Sequence, residues 1–128
     1  MSEAFYFSPT HQWVRTTATA NEVEVGISDH AQDALGDIVF VELPEAGKTC
    51  KAGEIIGAIE SVKTASEILS PVSGTLIACH QALEDAPEQL NEAPLSTWIY
   101  RLQVEPETFT AERETLMLEE AYATFLEQ

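Results

Sequence analysis

Glu54-Ile55-Ile56-Gly57-Ala58-Ile59-Glu60-Ser61-Val62-Lys63-Thr64-Ala65-Ser66-Glu67-Ile68-Leu69-Ser70-Pro71 is the stretch whose reading decides the fold. Two strand-like segments, 54–60 and 64–70, meet here with no Asn-Gly or Pro-Gly pair between them, and Pro71 stops the second. The simplest geometry is a hairpin with its tip near Val62-Lys63, which sends Lys63 alone into solvent, away from the body. The chain has only three lysines, the others being Lys48 and Lys51. A lysine at a tight tip, flanked by small residues and bracketed by Glu60 and Glu67, is an accessible attachment point. An acyl chain on its amine makes a flexible arm on a rigid base, and rigid elements position sites best. The same local pattern also fits an ordinary exposed lysine on a turn.

Outward from the hairpin, short strands continue in both directions. Residues 6–15 form an aromatic-rich extended segment with Thr10-His11-Gln12-Trp13-Val14, and Ala20-Asn21-Glu22 reads as a turn. Glu22-Val23-Glu24-Val25-Gly26-Ile27 alternates polar with apolar, apart from Gly26, as a half-buried strand does. Ser28 caps a short helix over 29–35, and Gly36 supplies its stop. Asp37-Ile38-Val39-Phe40-Val41-Glu42-Leu43 is a strongly apolar strand ended by Pro44-Glu45-Ala46-Gly47. Further strands are expected over 48–51, 75–79 and 98–104. Residues 84–94 read as a polar loop with one helical turn near Pro87-Glu88-Gln89-Leu90. After Pro106, Leu116, Met117, Ala121 and Phe125 recur at helical spacing, so a helical tail, broken in two, begins at about 107. A weak echo relates 53–57 to 74–78. The expectation is one domain over 1–128, mainly β, a sandwich or partly closed barrel, with a short helix after the early strands and helices at the end.

Composition narrows function. The chain has 128 residues with 22 acidic and 6 basic side chains, a net charge of −16, and 45% hydrophobic content. That charge excludes a phosphate-binding basic face and disfavours an anionic membrane. It suits partners with basic docking faces. No apolar run reaches the ~18–20 residues of a membrane span. Met1-Ser2-Glu3-Ala4-Phe5 lacks a leader pattern, so a cytoplasmic location is expected. Cys50 and Cys79 lack zinc-ligand spacing and read as small hydrophobes. His11 and His30 form no metal motif, no serine sits in a nucleophile elbow, and no Gly-rich phosphate loop appears. No catalytic set and no metal set is therefore expected. Trp13 and Trp98 read as core.

The lysine segment, with Ser70-Pro71-Val72-Ser73-Gly74 following it, resembles the lipoyl/biotinyl carrier superfamily. The rest narrows the family. Gly26-Ile27-Ser28-Asp29-His30-Ala31-Gln32-Asp33 and Leu35-Gly36-Asp37-Ile38-Val39-Phe40-Val41-Glu42-Leu43-Pro44 resemble the glycine cleavage system H protein family. So do Glu60-Ser61-Val62-Lys63, Ala82-Leu83-Glu84-Asp85 with Pro87-Glu88, and Ala121-Tyr122. The resemblance implies a hybrid barrel-sandwich with C-terminal helices. It implies lipoic acid in amide linkage to Lys63, and a carrier that is not itself an enzyme. The arm would take an aminomethyl group from the pyridoxal-phosphate decarboxylase (P-protein) to the tetrahydrofolate-dependent T-protein, and electrons to the flavin dehydrogenase (L-protein). Lipoylating enzymes are further implied partners, and neither nucleic acid nor membrane is. Glu60, Ser61, Val62, Ser66, Glu67, Gln12 and His30 are candidate arm or partner contacts.

Three departures from the family pattern stand out. His11-Gln12-Trp13 replaces the usual His-Glu-Trp, whose glutamate faces the cationic amine of the loaded arm; Glu67 is a candidate substitute for that charge. Pro94-Leu95-Ser96-Thr97-Trp98 lacks the family's glycines. Leu118 stands where an aspartate often caps the last helix. Biotinyl carriers usually show Met-Lys-Met and dehydrogenase lipoyl domains Asp-Lys-Ala, and Val62-Lys63-Thr64 is neither. The remaining alternative is an H-like paralogue acting as lipoyl relay or adaptor without glycine cleavage activity.

Overall fold

The computed structural model describes residues 5–127. Met1-Ser2-Glu3-Ala4, on which the expectation about a leader rests, and the final Gln128 lie outside the described residues. In chain order the elements are β1 Phe5–Phe7, β2 Gln12–Thr16, β3 Glu22–Ile27, α1 Asp29–Leu35, β4 Ile38–Glu42, β5 Thr49–Cys50, β6 Ile55–Ser61, β7 Ala65–Leu69, β8 Gly74–Cys79, α2 Ala82–Asp85, α3 Gln89–Glu92, β9 Tyr100–Gln103, α4 Pro106–Arg113 and α5 Glu119–Leu126. Among the described residues the fold is mainly β, with two sheets and no closed barrel. One sheet runs β1-β2-β3-β9-β8-β5 and the other β4-β6-β7, every pairing antiparallel. The echoing segments around Gly57 and Gly74 fall in different sheets.

Alternation explains how the sheets meet. Val14, Val25, Leu76 and Leu102 of the larger sheet are buried in one cluster with Val41, Ile59 and Ile68 of the smaller. Each comes from a strand whose alternate residues turn the other way. Trp13 is the exception, packing beneath β1 and α5 with Phe7 and Tyr122. It pairs with Gly26 across β2 and β3, and a methyl group there would meet the indole at 2.5 Å and the Thr97 carbonyl at 2.9 Å. Gly26 interrupts the alternation of β3 because the Trp13 ring lies across it.

Two regions differ from expectation. The helical turn expected near Pro87-Glu88-Gln89-Leu90 is present as α3, but a second four-residue helix, α2, precedes it, and Leu83 and Leu90 of the two are fully buried. Four residues gave α2 too little periodicity to announce itself. The second is Glu24, buried in β3 between Arg15, with which it forms an ion pair, and Arg101, 3.0 Å away. Period-two reading expects a polar residue here to face water; register instead places Arg15 and Arg101 directly opposite it on the two neighbouring strands.

The C-terminal helices appear as expected, the first starting at Pro106, where a missing N–H costs nothing. A two-way backbone bridge between Phe7 and Met117, 2.7 and 2.8 Å, anchors the entry to α5. Leu118 is the N-cap of α5, has no side-chain cap bond, and is exposed. Leu118→Ser should therefore stabilise the protein by about 0.5–1 kcal/mol, since a serine oxygen can accept from the open N–H groups. Urea unfolding checks it, and an unchanged or lower midpoint would mean that the Leu118 side chain matters more than the cap.

Candidate functional site

The tip between β6 and β7 is Val62-Lys63-Thr64, and Ser61 explains why it needs no glycine. The Ser61 Oγ accepts from the N–H of Lys63 at 3.2 Å and of Thr64 at 3.1 Å, and donates to the Thr64 carbonyl at 3.2 Å. The Ser61 N–H also donates to the Thr64 carbonyl, at 2.8 Å. A side-chain hydroxyl thus supplies the local bonds that a turn sequence would otherwise provide. Ser61 shapes the tip.

Lys63 is exposed at the tip, but it does not project alone from the body. Its stem lies over Gly36, where a methyl group would come within 2.7 Å of Cε. The tip itself is tied down by the Val62 N–H, which donates to the Asp37 carbonyl at 3.0 Å. The expectation of a free-standing lysine fails because local pattern carries no information about the α1–β4 junction packed beside the hairpin. Gly36 does two jobs there: its φ of +79° ends α1, and its bare Cα leaves the channel that the lysine stem follows.

A cleft of about 160 Å³ opens among β2, α1 and β7, lined by Thr10, His11, Gln12, Ala34, Leu35, Ser66 and Glu67, among others. Three of the residues singled out from sequence, Gln12, Ser66 and Glu67, are brought together here. The cleft reaches Leu35, the residue before Gly36. Gln12 is buried, and its Oε1 accepts from the hydroxyls of Ser8, at 3.2 Å, and Thr10. Glu67 is exposed, so its charge sits at the solvent side. Glu60 and Val62 are also exposed, Glu60 opposite Phe40 of β4. A bulge in that strand turns both Val39 and Phe40 to solvent.

His30 is not in this cleft. It lines a separate one with Phe7, Asp33, Glu119 and Tyr122. Its ring lies 4.6 Å from that of His11, which does reach the cleft lined by Gln12 and Glu67. His11 Nδ1 hydrogen-bonds with the Tyr122 hydroxyl at 2.7 Å, and that hydroxyl hydrogen-bonds with Ser28 Oγ at 2.8 Å. Ser28 in turn accepts from the Ala31 N–H and caps α1. Sequence reading gave His11 no role. Its signal was positional, in the motif beside Trp13, while its partner lies more than a hundred residues away.

Another surface cleft, about 550 Å³, is lined by Cys50, Lys51, Ser73, Thr108 and Glu112 among others, and shares no residue with the lysine hairpin. Cys50 is buried and Cys79 half-buried, both free. Burial raises both thiols, which favours the inert protonated form. Trp98 is half-buried between the His80 ring and the Arg101 guanidinium. Among the described residues no cluster could hold a metal ion, and no helix is long and apolar enough to cross a membrane.

Comparison with known proteins decides the family. The glycine cleavage H-protein family model matches residues 5–128. The chain belongs to the glycine cleavage H-protein family. It is 54% identical over 97 residues, 76% of this chain and 75% of the relative, to glycine cleavage system H protein 2 of Pseudomonas syringae. It is 48% identical over 98 residues, 77% of each chain, to the glycine cleavage system H protein of Burkholderia cenocepacia. Among solved structures, a glycine cleavage system H protein from Mycobacterium marinum superposes with a TM-score of 0.82 at 32% identity, covering 100% of both chains.

The histidine pair predicts a pH dependence. Burial, and then the charge of His30, hold the His11 pKa below the ordinary 6.5. The folded chain thus takes up this proton less readily than the unfolded one. Stability from this site is complete above about pH 6.5 and falls as the pH drops from there through the folded-state value. Asparagine tolerates the positive φ of residue 11, +72°. His11→Asn should therefore lose less stability than the parent between about pH 7.5 and 5.5 by urea unfolding. Equal losses would assign the dependence to other groups.

Proposed function

We propose that this chain is the lipoyl carrier of the glycine cleavage system, with lipoic acid in amide linkage to Lys63. The observation that carries the reading is an exposed amine on a hairpin whose tip is bonded to the body. Its stem lies over Gly36, next in sequence to Leu35 of a cleft lined by both apolar and polar side chains, Gln12 and Glu67 among them. Family membership supports a carrier subunit rather than a catalyst. The reading assigns three enzyme partners, the P-protein, the T-protein and the L-protein, together with the enzymes that attach the lipoyl group. When bound, the dithiolane supplies a disulfide able to take up both electrons and a carbon unit.

The residues of the chain supply position. Among the described residues no carboxylate pairs with the Lys63 ammonium, so acylation breaks no ion pair. The channel at Gly36 fits an extended lysine stem, which suits one made longer. At about 160 Å³ the cleft is smaller than the ~300–1,000 Å³ of sites that engulf whole small molecules, so it suits the end of an arm. Gln12 and Glu67 line it together, and Glu67 can supply the negative charge that Gln12 lacks. Glu60 and Glu67, exposed on either side of the tip, suit partners with basic faces, and the location expected is the cytoplasm.

Intact mass of the chain isolated from a lipoylating host should show a lipoyl-amide increment that vanishes in Lys63→Arg; an increment surviving that change would refute the site. The modified chain should then support glycine-dependent carbon dioxide exchange with the P-protein. Modification without exchange would leave the relay or adaptor reading in its place. The cleft gives a finer test. In Gln12→Glu the hydroxyls of Ser8 and Thr10 can still donate to the new carboxylate. The gain of a charged over a neutral hydrogen bond should slow ammonia loss from the loaded arm about fivefold. An unchanged rate would remove residue 12 from contact with the arm.

A further inference from the structure

The hairpin tip rests on the α1–β4 junction, so what fixes that junction fixes the lysine. The junction is Gly36 and Asp37, leading into Ile38 at the start of β4, and one side chain from outside holds it on both sides of Asp37. Asn91, on α3, donates from Nδ2 to the Gly36 carbonyl at 2.8 Å and to Gln32 Oε1 at 3.0 Å. Its Oδ1 accepts from the Ile38 N–H at 2.9 Å. Both amide hydrogens and the amide oxygen are engaged, which determines the orientation of the group. Gln32 is itself held, donating to Asp29 Oδ1 at 3.0 Å. Between the two clamped ends stands Asp37, whose carbonyl receives the Val62 N–H, and Gly36 is the surface on which the Lys63 stem lies.

We propose that Asn91 is a positioning residue for Lys63: it locks the α1–β4 junction in the one arrangement that both receives the Val62 N–H and leaves the Gly36 channel facing the lysine. The inference rests on the reading of Lys63 as the acylated residue. Asn91 touches neither the lysine nor the arm-side cleft. It acts through the junction, setting the direction in which the amine leaves the body. A side chain on a four-residue helix within an apparently polar loop is a place where sequence pattern gives no hint of such a role.

The isosteric change Asn91→Asp tests it. The carboxylate can still accept from the Ile38 N–H, and it loses both donated bonds, to the Gly36 carbonyl and to Gln32. On the full, unmodified chain, amide exchange of the Val62 N–H should quicken about tenfold, the factor expected when roughly one hydrogen bond of local stability is lost. The Ser61 N–H, whose bond to Thr64 lies within the hairpin, should keep its rate, as should core amides such as that of Leu102. Lipoylation of Lys63 by a lipoate-attaching enzyme should lose several-fold in kcat/KM. Gln32→Ala, which removes one of the three bonds, should give a smaller acceleration at Val62, and it carries the same comparison if Asn91→Asp does not fold. Equal acceleration of Val62 and Leu102 would show only general destabilisation and overturn the proposal, as would an unchanged Val62 rate. Absence of lipoylation in the parent chain would count against the carrier reading and leave the exchange rates to decide on Asn91.

Discussion

The indole of Trp13 lying across Gly26 is the constraint on which the rest of the structure depends. It requires a residue without a side chain in the middle of β3, and the pairing of β2 with β3 is thereby tied to one register. A slip of one residue would carry the ring to the other face of the sheet, since strand side chains alternate. With Trp13 turned toward Phe7 and Tyr122, its neighbours Gln12 and Val14 must turn the opposite way, and that is why Gln12 reaches the cleft beside the lysine hairpin. The indole N–H donates to the Pro94 carbonyl at 3.0 Å, so the same ring also fixes the segment leading to β9. A glycine-free approach to that strand is workable here because Trp13 holds its start and the buried Thr97 donates to the Gln89 carbonyl at 3.3 Å.

What could be read from sequence follows a physical line. Strands with one buried face reveal themselves through period two, and β3, β4, β6, β7 and β8 lie close to where alternation, Gly and Pro place them. α1 was legible because Ser28 and Gly36 mark its ends, and the bond from the Ala31 N–H to Ser28 Oγ is the one such a cap makes. The lysine tip was legible as a meeting of two strands. Its surroundings were not, because the α1–β4 junction meets the tip through the Asp37 carbonyl and the bare Gly36 backbone, which pattern does not reveal, and Asn91 reaches that junction from a separate element. Glu24 was hidden for a related reason: its burial is made acceptable by arginines on two other strands, and only pairing register puts them there.

The same register bears on the charge. All three arginines of the chain are committed inward or to rings. Arg15 and Arg101 flank Glu24, and Arg113 lies over Tyr6 and Phe109 at 5.9 and 5.6 Å. Lys48 makes one long, exposed contact with Glu45, 3.9 Å, which contributes little in water. The basic side chains therefore cancel little of the acidity where a partner would meet it. The net charge of −16 becomes a largely uncompensated surface field. On the carrier reading proposed above, acylation of Lys63 would remove one more positive charge from that surface.

A carrier that visits several enzymes needs encounters that are fast and brief, and long-range charge favours the first without making the second harder. Attraction across water is screened within about 8 Å at physiological salt, so it speeds approach but adds little once the surfaces touch. Release then depends on how small the apolar contact is. Around the tip that contact is limited to a few side chains, Val39, Phe40 and Val62, set among Asp37, Glu42 and Glu60. The bulge in β4 exposes the first two, while Ile38 and Val41 stay in the core. Rigidity completes the arrangement. With the tip bonded to Asp37 and the junction clamped from α3, little conformational entropy is left to lose on docking. The freedom that remains belongs to the lysine side chain and whatever is attached to it. Affinity can then stay low while the amine is presented in the same place to every partner.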